Sequence, residues 1–542
     1  MSSFDYPTYP YRPAPEQLGD TSPTSPVIVI GAGPVGLTLA IDLGQRGIPV
    51  ILLDDDDTVS HGSRAICWSK RTLEIFDRLG LAGPLVERGI NWQVGRVFRN
   101  DREVYRFDLL PEAGHKLPAF INLQQYHVEQ ALIEAAPETV DLRFRHKVVA
   151  IAEDADRVEL TVETPDGRYT TEARYVAAAD GAHSTTRAAL GLSFEGRVFD
   201  ERFLIADVRM KADFPTERWF WFDPPFHRGG STLLHRQADD IWRIDFQLGP
   251  TADPELERRP DRVLPRLKAM LGPDVDFDLE WVSIYTFRCR RMQRFRHRRI
   301  FFAGDSAHQV SPFGARGGNG GIQDVDNLAW KLAAVLGGQA SDRLLDSYDD
   351  ERVPATDENI LNSTRSTDFI TPKTATSRAL RDAVLSLAED APFARALVNS
   401  GRLSTPHAYA DSPLSTPDGD AFTGGPPPGA PCPDAPIARP DGESAWLLNQ
   451  LGGDFALLTY ESDQVDTDLR QVRIGGAGGW TDPEGLIAGR YDLRPGTCYL
   501  IRPDQHVAAR WRRLDRVAVR RALQRARAAE NSPVETAPME AR

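Results

Sequence analysis

Val27-Ile28-Val29-Ile30-Gly31-Ala32-Gly33-Pro34-Val35-Gly36 decides how this chain is read. Four β-branched residues in a row predict a buried strand, and the glycines ahead of an apolar stretch to about Arg46 predict a tight turn into a helix. A second strand, Pro49 to Leu53, ends on Asp54. Such a strand, turn, helix and strand make a crossover unit. Gly31-x-Gly33-x-x-Gly36 at its first turn offers the bare backbone and helix N-terminus that a dinucleotide pyrophosphate needs. Asp54, 23 residues beyond Gly31, is placed to accept from ribose hydroxyls. Asp55, Asp56 and Asp57 repel a 2′-phosphate and otherwise read as a solvated loop, so FAD or NAD fits here and NADP fits poorly.

Two further stretches narrow the choice. Arg299-Ile300-Phe301-Phe302-Ala303-Gly304-Asp305-Ser306-Ala307-His308 is a strand ending on an aspartate, and the run from Ser311 to Gly321 follows it with five glycines. An aspartate there accepts from a ribityl chain, and glycines bring backbone N–H groups to a planar ring. The helix starting near Gly320 directs its positive end at negative charge on a reduced flavin. A flavin is favoured over nicotinamide. Between the two lies Tyr175-Val176-Ala177-Ala178-Ala179-Asp180-Gly181, again an apolar strand ending on Asp-Gly.

Together, over about residues 27 to 370, these motifs resemble the flavoprotein aromatic hydroxylases, the family of p-hydroxybenzoate hydroxylase, phenol hydroxylase and 3-(3-hydroxyphenyl)propionate hydroxylase. The resemblance implies an α/β fold: a Rossmann-like FAD-binding domain (27–195 and 299–403, with a helical extension) and an inserted, mostly antiparallel sheet domain for substrate (196–298). It implies that Gly31, Gly33, Gly36 and Asp54 hold the pyrophosphate and ribose, that Arg64 touches FAD near its phosphates, and that Gln125, with Glu129 four residues on, contacts the flavin's chain. Asp180 and Gly181 would serve FAD and NAD(P)H, Asp305 the ribityl chain, and Pro312, Gly317, Gly318 and Asn319 the isoalloxazine edge. Ala178 stands where the family usually has glycine, and Ser306 where Ala is frequent. The implied reaction is hydroxylation of a phenolic or related aromatic substrate by a flavin hydroperoxide, with FAD as cofactor, NADH or NADPH as transient reductant and O2 as co-substrate.

On the substrate side, Ser231 to Gln237 and Ile241 to Leu248 read as a hairpin. Arg243, Asp245 and Gln247 share one face, opposite Trp242, Ile244 and Phe246. The face carrying Arg243, Asp245 and His235 is either solvated or lines a polar-rimmed pocket over the flavin. On the second reading His235 and Asp245 are the candidate catalytic residues, and Gln237 is a pocket residue. Trp221 and Tyr285 are placed either to stack on an aromatic ring or to pack in the core. His308 reads as a structural histidine beside the flavin segment.

The remainder is read from composition. At 542 residues the chain exceeds one compact core. Its net charge of −14 argues against nucleic acid or anionic lipid as partner, and no apolar run is long enough to span a membrane. Residues 1–26, rich in proline, read as a flexible tail. Residues 404–440, with ten prolines, read as a linker. Residues 441–542 resemble the thioredoxin-like C-terminal domain of phenol hydroxylase-type members, without the CxxC that dithiol exchange requires. Four scattered cysteines show no metal-ligand spacing and suit a reducing cytoplasm. A homodimer is expected by analogy. A halogenase would carry a Trp-x-Trp-x-Ile-Pro motif, which is absent. A plain NAD-dependent dehydrogenase leaves Asp305 and the 314–321 glycines unexplained. A flavin-binding regulatory or scaffold protein is the non-enzymatic alternative.

Overall fold

The computed structural model describes residues 4–19, 23–62, 64–212, 214–401, 403–462 and 468–529. The chain forms two compact units, one of Met1–Ala113, Leu117–Asp326 and Val353–Pro406, the other of Gly114–Lys116, Asn327–Arg352 and His407–Arg542.

At the centre of the first unit lies a parallel sheet in the order Ile300–Phe302, Gly167–Ala178, Ser25–Ile30, Val50–Asp54, Val140–Phe144. Val27, Ile28, Val29, Leu52, Val176, Phe301 and Phe302 are buried, as continuous apolar strands covered on both faces must be. Ile30 pairs with both Ala178 and Leu53, and Ala178 with Phe302. Four strands therefore end level, and the residues that follow them, Gly31, Asp54, Asp180 and Asp305, crowd one carboxyl edge. Ligands of open α/β sheets bind outside that edge.

A second sheet of eight strands is mostly antiparallel, in the order His308–Gln309, Asp278–Arg291, Glu195–Arg209, Ile241–Gln247, Ser231–Arg236, Arg218–Phe222, Val94–Arg99, Arg102–Asp108. It is not the contiguous 196–298 insertion expected from the sequence. Arg218–Phe222 takes Val94–Arg99 as a parallel partner, so a hairpin from much earlier in the chain covers what would be an open edge.

Residues 4–19 are no free tail. Phe4 stacks on Tyr126 at 4.2 Å and Tyr9 on Phe144 at 4.4 Å, the Tyr9 amide donates to the Asp57 carbonyl, and His146 bonds the Arg12 carbonyl at 3.0 Å. Aromatic residues spaced between the prolines anchor the segment to the parallel-sheet layer.

The second unit is built on a mixed sheet in the order Arg470–Ile474, Ala456–Tyr460, Cys498–Ile501, Val507–Trp511. Its first pair is parallel and the other two are antiparallel, and the helix Arg516–Ala526 follows. The expected 404–440 linker is largely part of this unit: Cys432, Ala435 and Ile437 lie in its core. Gly429 donates to the Val507 carbonyl, and Val507 to that of Ala430. Proline needs no donor partner, so apolar residues placed between prolines can lie extended on the sheet edge without leaving amides unpaired.

Candidate active site

The glycine turn is as tight as its sequence implied. Gly31 has φ 101°, and a side chain there would run into the Ala179 backbone, as one at Gly36 would into the Gly31 carbonyl. Asp54 closes this turn from below: its Oδ2 accepts from the Ala32 amide at 2.5 Å and its Oδ1 from the Asp56 amide at 2.9 Å. Burial pushes its carboxyl up to about 6, and those two amides oppose the rise. Asp55 and Asp56 are exposed.

Glu129 organises the next segment. Its carboxylate accepts from the Ser60 amide and hydroxyl at 2.6 and 2.7 Å and from Gln125 Nε2 at 2.8 Å. Gln125 also donates to the Ser60 hydroxyl and accepts from the Ala65 amide. Its amide is thus engaged with protein, and it shapes the loop on which Arg64 stands exposed.

At the third strand end, Asp180 Oδ2 accepts from the Thr186 amide at 3.0 Å while Oδ1 is buried without a partner. At the fourth, the Gly304 amide and His308 Nε2 both bond Asp324 Oδ2, at 3.0 and 2.6 Å. His308 is buried in that role, a structural histidine. Asp305 is exposed, yet the surrounding protein raises its carboxyl, against the opposing charges of His308 and Arg64. Tyr285, 44% exposed, likewise has its phenol pushed up to about 12, chiefly by desolvation and next by Asp305. Both groups reach solvent and are still desolvated by the protein around them, as groups at the mouth of a cleft are.

Pro312 is exposed, and the helix Gly317–Leu336 begins just beyond it. Asn319 does not offer its side chain to the cleft. Its Oδ1 accepts from the Ser69 amide and the Thr72 hydroxyl, and its Nδ2 donates to the Cys67 and Ala315 carbonyls, which pins the glycine turn to the strand Cys67–Ser69.

The face of the second sheet carrying Arg243 and Asp245 is buried, not solvated. Arg243 grips Asp207 with Nε at 2.9 Å and Nη2 at 3.1 Å and donates to the Arg64 carbonyl at 3.2 Å. Gln237 donates to Asp207 at 3.1 Å, leaving its own Oε1 unpartnered. His235 is buried with Nδ1 unpartnered; desolvation, then Arg218 and Arg243, hold it neutral. Asp245 Oδ1 is also unpartnered, and burial pushes that carboxyl up to about 7 against the pull of Arg243 and Arg218. Trp221 belongs elsewhere: it packs with Leu204, Ile244 and Phe246 on the opposite face and stacks on Phe98 at 5.1 Å. It is a core residue.

Sequence reasoning missed Asp207, Arg218 and Trp92. An aspartate breaking the apolar strand Phe203 to Met210 was the available signal for Asp207. Trp92 stacks on Phe120 at 5.1 Å and meets His235 edge-on at 5.9 Å. Phe120, with Tyr105, Phe107, Arg316 and Ser400, lines a cavity of about 640 Å³, a volume suited to a small-molecule ligand.

These residues fit FAD. The turn at Gly31 and Gly36 admits no side chain, a buried Asp180 oxygen lacks a partner, and the Asp305 carboxyl is exposed beyond its strand end. Comparison with known proteins agrees. Residues 24–363 match the family model described as "FAD binding domain". The chain is 33% identical to 6-methylpretetramide 4-monooxygenase of Streptomyces rimosus over 94% of its own length and 95% of that protein's. It is 30% identical to a 3-(3-hydroxy-phenyl)propionate/3-hydroxycinnamic acid hydroxylase of Mycolicibacterium smegmatis, over 68% of this chain and 65% of that one. Its fold matches that of the flavin-dependent monooxygenase PieE, solved with FAD and substrate, with TM-score 0.78 at 24% identity, covering 94% of this chain and 98% of that one. The chain belongs to the class A, FAD-dependent flavoprotein aromatic hydroxylases.

Proposed function

We propose that this enzyme, with NADH or NADPH as reductant and O2 as co-substrate, adds one hydroxyl to a phenolic or related aromatic compound seated in the cavity of about 640 Å³. The observation that carries the reading is the level ending of four parallel strands, which gathers Gly31, Asp54, Asp180 and Asp305 at one edge. FAD, when bound, supplies the redox chemistry and the activation of O2.

The chain's own residues bind and orient. Gly31, Gly33 and Gly36 receive the pyrophosphate, Asp54 braces their turn, and Arg64 adds positive charge near the phosphates. Asp180 and Asp305 accept from hydroxyls of the cofactor. Gly181 gives the Asp180 turn its positive φ of 74°. Pro312, Gly317 and Gly318 edge the ring, with Asn319 and Gln125 holding the segments that do so. Asp245, titrating near neutrality, takes the phenol proton and so enriches the ring in electrons. His235 and Gln237 orient the substrate, and Tyr285 faces the cleft. The activities named for the relatives, which include a probable NADH-specific resorcinol 4-hydroxylase of Rhodococcus jostii, favour an aromatic substrate.

The second unit is thioredoxin-like on this reading, supported by its mixed sheet and final helix, and serves packing or dimerisation. A cytoplasmic homodimer completes the proposal; among the described residues no helix is long and apolar enough to cross a membrane. The test is NADH and O2 consumption by the FAD-loaded protein against a panel of phenols, hydroxybenzoates and hydroxyphenylpropionates, with mass analysis of products. Consumption that no compound accelerates would count for the regulatory or scaffold alternative.

A further inference from the structure

Among the described residues, Arg218 is a buried cation with no ion-pair partner. The residue is 2% exposed, Nη2 donates to the Ser400 carbonyl at 2.9 Å, and Nη1 is buried with no partner. It stands at the end of a cross-strand row. Asp207 pairs with Arg243, and Arg243 with His235; Arg218, one residue before the Trp219 that pairs with Leu234, continues the row beside His235. Asp207 is already occupied by Arg243.

The ionisable groups around Arg218 are Cys67 on the strand Cys67–Ser69, and Tyr105, His235, Arg243 and Asp245 on the same sheet as Arg218. Of these only Asp245 supplies a carboxylate, and it forms no ion pair with Arg218 among the described residues. Arg218 Nη1, His235 Nδ1 and Asp245 Oδ1 are thus three unpartnered buried atoms on adjacent strands. A neutral polar group stranded in this way costs stability, and a charge costs more. Kept together, they set a fixed donor, Arg218 Nη1, beside a proton acceptor, Asp245 Oδ1. The cavity is close at hand: Ser400 and Gly401 line it, and a side chain on Gly401 would come within 3.4 Å of Arg218 Nη2.

We propose that Arg218 is a specificity-determining residue that receives an oxyanion of the aromatic substrate, so that the enzyme selects acidic aromatic compounds over neutral ones. This rests on the hydroxylase reading above. For a phenol or enol, the O–H bond breaks, its electron pair stays on the oxygen beside Arg218, and the proton passes to the Asp245 carboxylate. A carboxylic acid arrives already ionised and needs no such transfer.

The probes are 2-naphthol, 2-naphthoate and the neutral 2-methoxynaphthalene, titrated at about pH 7 into the FAD-loaded protein and followed by flavin absorbance. The wild type is expected to bind naphthol or naphthoate more tightly than the ether. Arg218→Gln should lose on the order of 100-fold of that affinity, with ether binding, FAD content and thermal midpoint held, and Arg218→Lys should recover part of the loss. Naphtholate absorption from the bound probe, where free naphthol is neutral, marks a phenolate receptor; tight naphthoate with naphthol bound neutral marks a carboxylate receptor. The wild-type spectrum needs no variant to fold. Equal losses for ether and acids, no loss, or no preference for the acids in the wild type overturns the proposal. If the enzyme hydroxylates a neutral aromatic and Arg218→Gln does so equally well, Arg218 loses its role while the hydroxylase reading stands. If no aromatic perturbs the flavin or gains oxygen, both fall.

Discussion

Arg187 donates to the Ser306 carbonyl at 2.8 Å and to the Ala182 carbonyl at 3.2 Å, so one guanidinium ties the Asp180-Gly181 turn to the Gly304-Asp305 turn. Two motifs more than a hundred residues apart are thereby held as one wall of the cleft. Arg187→Ala should weaken FAD binding on the order of 10-fold through loss of these charge-assisted bonds. Fluorescence titration of the apoprotein with FAD checks this.

Asp305→Ala separates cofactor binding from folding. The carboxyl is exposed and makes no hydrogen bond within the described protein, so the apoprotein should keep its thermal midpoint while flavin is lost on dialysis. A variant that retains full flavin would remove Asp305 from the site.

Asp245 gives the site a pH dependence whose sign follows from its raised carboxyl. With a folded value of about 7 against the ordinary carboxyl value of 3.8, the folded state holds the proton more firmly than the unfolded chain. Stability from this group is present at low pH and declines as pH rises from about 4 to about 7. Asp245→Asn should remove that decline and gain roughly 1–2 kcal/mol at about pH 8, allowing for partial solvent screening. The same change should flatten the rise of kcat/KM through about pH 7, because the proton acceptor is gone. Thermal melts and rate profiles across this range read both effects.

In the second unit, Lys331, Glu351, Arg502 and Asp504 form a fully buried charge network, with Glu351 bonded to Lys331 at 2.7 Å and to Arg502 at 2.5 and 3.0 Å. Arg502 and Lys331 hold the Glu351 carboxyl far below its usual range, against the cost of burial. Glu351→Ala strands Lys331 and leaves Arg502 with Asp504 as its remaining carboxylate, and should cost about 3–5 kcal/mol, visible in chemical denaturation. Because the depressed carboxyl stabilises above its unfolded value, acid should erode the wild type's advantage as pH falls through about 4 and below.

Much of the flavin site was legible because strand ends and glycine turns are local events. Val27 to Gly36 states its own conformation, and so do the strands that run into Asp180 and Asp305. The pocket was legible only as two alternating faces. Both faces of Ile241–Gln247 are covered, so polarity alone did not mark Arg243 and Asp245 as buried, nor Trp221 as facing away from them. Asp207 and Arg218 join the cluster through register across four strands, which no single segment encodes. The Pro-rich segments misled for a related reason: proline reports a lack of regular hydrogen bonding, not a lack of packing, and Tyr9 and Ile437 supply the packing.

The hydroxylase reading stands or falls on where the oxygen goes. FAD-loaded protein should be incubated with NADH, a phenol that accelerates its oxidation, and heavy-oxygen O2, and the product weighed. One heavy oxygen atom per product molecule, matched to one NADH consumed, is the expected result. A product whose new oxygen comes from water, or oxidation that never yields an oxygenated ring with any aromatic compound offered, would contradict it.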